Sequence, residues 1–213
     1  TKEYRFPEEV SSTSDHISFW EKKPDKRLVS VEEICEENYS LSHRPGMLRL
    51  YTKKEKISDC NHCSYFGIRQ KNYAFYAETG MEFEPKQECE TAGMVLYQNH
   101  ENHLRMEIRK RADENYFVVT VCIHGEERIR TEKPVGEGRQ FFKIRMHCDR
   151  QKARIWLFRD GRERLIAEDI SLLPYTTEEA GGFVGCTIGM YASANGQDSS
   201  NYADFAWFVQ NAV

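Results

Sequence analysis

No stretch of this chain approaches the ~20 consecutive apolar residues that span a bilayer, and no secretory signal pattern is visible. A surplus of charge is missing as well. The 30 Lys and Arg residues face 34 Asp and Glu, for a net charge of −4. The chain therefore lacks the basic footprint that phosphate backbones demand, and nucleic acid is excluded as its main partner. The seven cysteines (Cys35, Cys60, Cys63, Cys89, Cys122, Cys148 and Cys186) are odd in number and follow no framework spacing. A domain of this size folds without disulfides, so they read as reduced thiols of a cytoplasmic protein. Only one CxxC is present, Cys60-Asn61-His62-Cys63. It supplies half of a zinc site, and no βαβ context supports redox chemistry, so it reads as a loop with two free thiols. No glycine-rich phosphate loop occurs: Gly181-Gly182 leads into Phe183–Tyr191 without GxGxxG spacing or a following helix. Long amphipathic helical patterns and internal repeats are both absent, which removes parallel α/β folds and propellers.

What the chain does have is alternation. Phe75, Ala77, Thr79, Met81 and Phe83 fall on one face of a run whose other face carries Tyr76, Glu78 and Glu82. Leu104, Met106 and Ile108 alternate with Arg105, Glu107 and Arg109, and Phe142, Ile144, Met146 and Cys148 with Lys143, Arg145 and His147. Trp156 and Phe158 share a face, and the same spacing puts Phe205, Trp207 and Val209 on one face. Such period-two patterns predict strands with one face in a core. The run Tyr116–Ile123 is apolar on both faces and predicts a central strand. His124-Gly125, Pro134 to Gly138, Asp160-Gly161 and Asn195-Gly196 supply the turns. The pattern predicts an all-β fold, an antiparallel two-sheet sandwich over residues 46–213. Residues 1–45 are charged, Ser-rich and weakly periodic. They read as a lead-in or linker segment packing on the domain, anchored by Ile17, Phe19 and Trp20, with one helical turn at Val31–Glu37.

Candidate chemistry is sparse. Glycoside hydrolysis uses two carboxyl groups a few ångströms apart, and Glu78, Glu82 and Glu107 all lie on strands, where a solvated sheet face is the ordinary role. No Ser/His/Asp or Cys/His arrangement stands out. Asp204 opens the last strand and is a candidate ligand for a structural calcium, which favours hard oxygen donors; no other cofactor is expected. Gly185 and Gly189 inside a strand mark a bulge or a close approach of another segment. Tyr76, Tyr97, Tyr116 and Tyr191 are candidate sugar-stacking aromatics. Tyr97, Gln98, Arg105 and Glu107 form a polar strip that is the candidate carbohydrate-binding face.

Several separated stretches add more than spacing can. Arg44-Pro-Gly-Met-Leu-Arg-Leu-Tyr51, Tyr76-Ala-Glu-Thr-Gly-Met-Glu-Phe-Glu-Pro85, Thr91-Ala-Gly-Met-Val-Leu-Tyr-Gln-Asn99 with Glu101-Asn102, Gly182-Phe-Val-Gly185 and Tyr202-Ala-Asp-Phe205 occur in order. Together they resemble the concanavalin A-like C-terminal module of β-xylosidases of glycoside hydrolase family 43. The resemblance implies a two-sheet jelly roll packed on a five-bladed catalytic propeller, in cis or in trans. That propeller carries the catalytic acids and hydrolyses xylo-oligosaccharides or arabinose-substituted xylans with inversion. No catalytic residue carries over to this chain. In the family a loop before the Phe-Val-Gly strand lends an aromatic to the active-site rim; here the corresponding positions, Glu178 and Glu179, carry none. The implied role is an accessory, non-catalytic domain that shapes or supports the active site. Its rivals are a stand-alone carbohydrate-binding or sensing module and a protein-interaction domain whose uncovered docking face would drive homo-oligomers.

Overall fold

The alternating runs become strands in the computed structural model, which describes residues 14–149, 151–176 and 186–213. In chain order the strands are β1 (Asp15–Ser18), β2 (Tyr39–Ser40), β3 (Leu48–Tyr51), β4 (Ser64–Arg69), β5 (Phe75–Phe83), β6 (Thr91–Asn99) and β7 (Asn102–Arg111). They continue with β8 (Glu114–Ile123), β9 (Glu126–Pro134), β10 (Gln140–Asp149), β11 (Lys152–Arg159), β12 (Arg162–Ser171), β13 (Thr187–Ser193) and β14 (Tyr202–Ala212). Among the described residues, helix is confined to 3-10 turns at Glu36–Asn38, Ile57–Asp59 and Leu173–Tyr175.

Two antiparallel sheets form the sandwich. The larger runs β12-β11-β10-β5-β14-β3-β2, with β1 also paired to β14; the smaller runs β4-β13-β6-β7-β8-β9. Between them lies one apolar core, in which Phe75, Met81 and Phe83 meet Met94, Leu96, Leu104, Met106, Ile108 and Phe117. Each large side chain taken fully out of water in this way stabilises the fold by ~1.5–3 kcal/mol. Two-residue turns tie successive strands together. His124-Gly125 (φ 51° and 80°) and Asp160-Gly161 (φ 50° and 70°) take positive φ at both positions, the backbone that matches the twist of a tight hairpin. As its apolar residues on both faces predict, β8 is internal, between β7 and β9.

Three local expectations need correction. The sandwich starts well before residue 46. Strand β1 pairs Ile17 with Phe208, Ile17 and Phe19 are buried in the core, and Trp20 stays 71% exposed. Four residues are too few for alternation to register in the sequence. The helical turn forms at Glu36–Asn38 rather than over Val31–Glu37. Finally, Phe205 and Trp207 do not share a face. The register of β14 against β5 jumps from Phe205↔Met81 to Trp207↔Gly80, and the extra residue, Ala206, is a β-bulge. Phe205 and Phe208 therefore enter the core, while Trp207 and Val209 lie on the outer face with Met47. Trp156 and Phe158 do share a face, but it is the outer one, because Ala153, Ile155 and Leu157 take the core side.

Candidate functional site

The outer face of the six-stranded sheet gathers most of the polar strip expected from the sequence. Cross-strand pairing places Tyr97, His103, Cys122 and Glu127 in one row, and Val95, Arg105, Thr120 and Ile129 in the next. Glu107 follows, opposite Gly93. Tyr97, Arg105 and Glu107 are thus on one face. Gln98 is half-buried at the point where β6 and β7 lose register, between Tyr97↔His103 and Asn99↔Asn102.

This face is not the open, solvated surface that the strip suggested. Val31, Ile57 and Cys63 pack onto Tyr65, Val95 and Tyr191, with Tyr97 at the margin. The Ile57 amide donates to the Tyr191 hydroxyl at 2.9 Å, and the Tyr65 and Thr187 hydroxyls are 2.8 Å apart. Arg105 and Glu107 are only 8% and 2% exposed. As a sugar-contacting pair they are corrected to a buried ion pair, with Arg105 Nε 3.3 Å from Glu107 Oε1. Of the four candidate aromatics, Tyr191 is buried, whereas Tyr76, Tyr97 and Tyr116 remain partly exposed.

Arg105 organises the row. Its Nη1 and Nη2 donate to both oxygens of Glu127, at 2.7 and 3.0 Å, and Nη1 also lies 2.8 Å from His103 Nε2. That fork is the strong, bidentate form of a charge-assisted hydrogen bond. Burial opposes the charge on Arg105, but the Glu107 and Glu127 carboxylates outweigh it and hold the guanidinium firmly protonated. The hydrogen bond from Arg105 lowers the pKa of Glu127. Burial, with Arg105 beside it, pushes His103 down to about 4.

His103, Cys122 and Glu127 present a nitrogen, a sulfur and an oxygen within 4.8 Å of one another, a donor set suited to zinc. The guanidinium of Arg105 already occupies the space between His103 and Glu127, and Cys122 Sγ donates to the Glu101 carbonyl at 3.3 Å. The row is a protein ion cluster and not a metal cage. Sequence reasoning missed Glu127, His103 and Cys122, although a signal existed. Two-residue turns at Ala112-Asp113 and His124-Gly125 set Arg111 opposite Glu114 and Ile123 opposite Glu126. Counting back along the strands then brings all three residues together.

The strand acids have a similar fate. Glu78 is fully buried and held by Arg145 at 2.7 Å, with Lys143 at 3.8 Å. Glu82 meets Arg44 at 2.6 Å and Arg139 at 3.5 Å. Asp204, 1% exposed, accepts from Arg49 at 2.8 and 3.0 Å and lies 3.4 Å from Arg44 and 3.2 Å from Arg139. Arg49 in turn lies over the Tyr202 ring, 3.5 Å from its centroid. A calcium ion at Asp204 would sit among three guanidinium groups, so this site does not suit a cation. Cys60 is exposed and Cys63 buried, and burial pushes the Cys63 thiol up to about 12. Glu178, Glu179 and Gly185 lie outside the described residues.

The model of the β-xylosidase C-terminal concanavalin A-like domain matches residues 16–210. The chain belongs to this family. A xylosidase/arabinosidase of Butyrivibrio fibrisolvens is 43% identical over 211 residues, which are 99% of this chain and 40% of that protein. The solved structure of Bacteroides ovatus xyloglucan PUL GH43B superposes with a TM-score of 0.86 at 25% identity, over 99% of this chain and 42% of that one. The xylan β-1,4-xylosidase of Bacillus halodurans C-125 gives 0.85 at 18% identity over 99% and 41%, a likeness of fold. The chain therefore spans about two fifths of these relatives.

In this β-xylosidase-type sandwich the cluster around Arg105 makes stability depend on pH. Unfolded, His103 takes up a proton near 6.5; folded, it resists until about 4. Between those values the unfolded chain binds more protons, so stability falls as pH drops through that window, by roughly 3 kcal/mol in all. Glu127 adds to the loss. Its lowered pKa gives stability that is present above the ordinary carboxylate value and disappears as pH falls through the folded one. Urea midpoints of wild type and His103→Gln, measured from pH 7 to 4, should show a shallower acid slope in the variant. Identical slopes would place the acid sensitivity elsewhere.

Proposed function

We propose that this chain is the accessory sandwich of a family 43 glycosidase and that a separate catalytic propeller, in cis or in trans, supplies the chemistry. The observation that carries this reading is one of length: the match runs through 99% of this chain yet 40% of its xylosidase/arabinosidase relative. The strand acids support it. A glycosidase needs two carboxyl groups facing one cleft, whereas Glu78, Glu107 and Asp204 are each held by an arginine. The names of the relatives suggest xylo- or arabino-oligosaccharides as substrates of the parent enzyme. All seven cysteines are free thiols, which favours a reducing, cytoplasmic setting.

Expressed alone, the chain should not turn over 4-nitrophenyl β-xyloside or α-arabinofuranoside. Added in trans to the propeller of its parent enzyme, it should raise the propeller's kcat or melting temperature. Turnover by the purified chain alone, or no effect on the propeller, would reject the accessory role. A stand-alone carbohydrate-binding module is the second reading. It rests on the partly exposed Tyr97, whose ring lies 6.5 Å from and nearly parallel to that of His103. Calorimetry with xylo- and arabino-oligosaccharides, repeated with Tyr97→Ala, decides it: no heat with any of them removes this reading.

A further inference from the structure

We propose that the open seam between the two sheets, where β9 faces the β11–β12 hairpin, is a binding cleft for a small organic anion bearing a phosphate or carboxylate group. Both sheets end here, β9 being the last strand of one and β12 of the other. The cleft holds about 330 Å³, and its lining includes Lys133 from β9 and Arg159, Arg162 and Arg164 from the hairpin. Val135, Leu157 and Ile166, all buried core residues, supply apolar surface in the same cleft.

The charges do not balance. Four cations line the cleft against one acid, Asp160, which is 3.4 Å from Arg159 and 77% exposed. Among the described residues, Lys133, Arg162 and Arg164 make no ion pair. Arg159 and Arg162 sit directly opposite each other across the hairpin, an arrangement that like charges disfavour. Arg164 pairs with Leu157, and Lys133 with Phe117. Leu157 and Phe117 face the core, so Arg164 and Lys133 stand on the core-facing side of their strands, at the rim of the seam where Lys133, Arg162 and Arg164 are exposed to solvent and Arg159 is half-buried.

Inward charges at a sheet edge commonly guard against edge-to-edge pairing. One charge on one strand is enough for that purpose. Here four converge from both sheets on a single hollow, three of them planar guanidinium forks that match carboxylate and phosphate oxygens. A bound anion relieves their mutual repulsion, and its carbon skeleton can rest on Leu157 and Ile166. This assignment is independent of whether the chain serves a propeller.

Amide NMR titrations test it, with inorganic phosphate and with glucuronate as separate probes and chloride holding ionic strength constant. The expected result is saturable shifts confined to β9 and the β11–β12 hairpin, with a dissociation constant below ~10 mM for at least one probe. The variant Arg162→Ser/Arg164→Ser should bind at least about tenfold more weakly. Arg111→Ser should bind normally, since Arg111 pairs with Glu132 away from the cleft. If the double variant fails to fold, Lys133→Ser makes the same comparison from the other sheet. A phosphate response assigns a phosphorylated ligand, and a glucuronate response an acidic sugar. No saturation with either probe, or equal affinity in the cleft variants, overturns the proposal.

Discussion

Replacing Asp204 with alanine will destabilise the sandwich by about 3–5 kcal/mol, the range for removing one partner of a buried ion pair. For a domain of this size the melting temperature should fall by roughly 10 °C. The carboxylate is 1% exposed and is the point on which Arg44, Arg49 and Arg139 converge. Without it, Arg44 and Arg139 keep Glu82, whereas Arg49 loses both of its charge-assisted hydrogen bonds. The reverse deletion is milder. Arg139 is a third exposed, so Arg139→Ala should cost no more than ~1 kcal/mol. Thermal and urea unfolding of both variants checks the ranking. An Asp204→Ala protein within 1 kcal/mol of wild type would mean that the arginines rearrange freely, and the cluster would then not be a structural anchor.

Gly189→Ala is expected to be at least as damaging, through a different mechanism. A methyl group at Gly189 would stand 2.0 Å from the Phe66 carbonyl oxygen and 2.2 Å from the Gly67 Cα. Both are backbone atoms of the paired strand β4 and cannot rotate aside. The strands must separate at Gly189↔Gly67, beside a row that includes Val95 and the buried Arg105. A loss above ~4 kcal/mol follows from forced overpacking together with broken ladder bonds, and soluble yield should collapse. Gly196→Ala is the control. Gly196 has φ 86° and open space around its Cα, so that variant should show only the left-handed backbone penalty of ~1 kcal/mol. Equal behaviour of the two variants would refute the steric argument.

The long strands were legible because their core-facing positions recur at every second residue, as in β5, β7 and β10. Alternation fails wherever one residue changes the count. Ala206 does so in β14, and no composition signal announces it. The close approach anticipated at Gly189 is present and is made by the backbone of β4. The site was legible in direction but not in depth. Arg105 and Glu107, two residues apart, had to share a face. What period two could not say is that Val31, Ile57 and Cys63, from poorly periodic segments, fold back over the neighbouring strands. Burial of an outer face is a tertiary property, written in residues far from the strand it covers. The same limit hid the arginines around Asp204. Arg44 and Arg49 stand in one short stretch, but Arg139 enters from the loop before β10, ninety residues away.

The bulge in β14 also divides that strand's labour. Ahead of it, Tyr202–Phe205 pair with β3; beyond it, Trp207–Gln210 pair with β1. Strand β1 is four residues long. It covers the backbone of Trp207–Gln210 and, through Ile17, the core beneath; without it that stretch would be an unsatisfied edge of the kind that captures another strand. The short first strand therefore acts as an edge guard for the second half of β14.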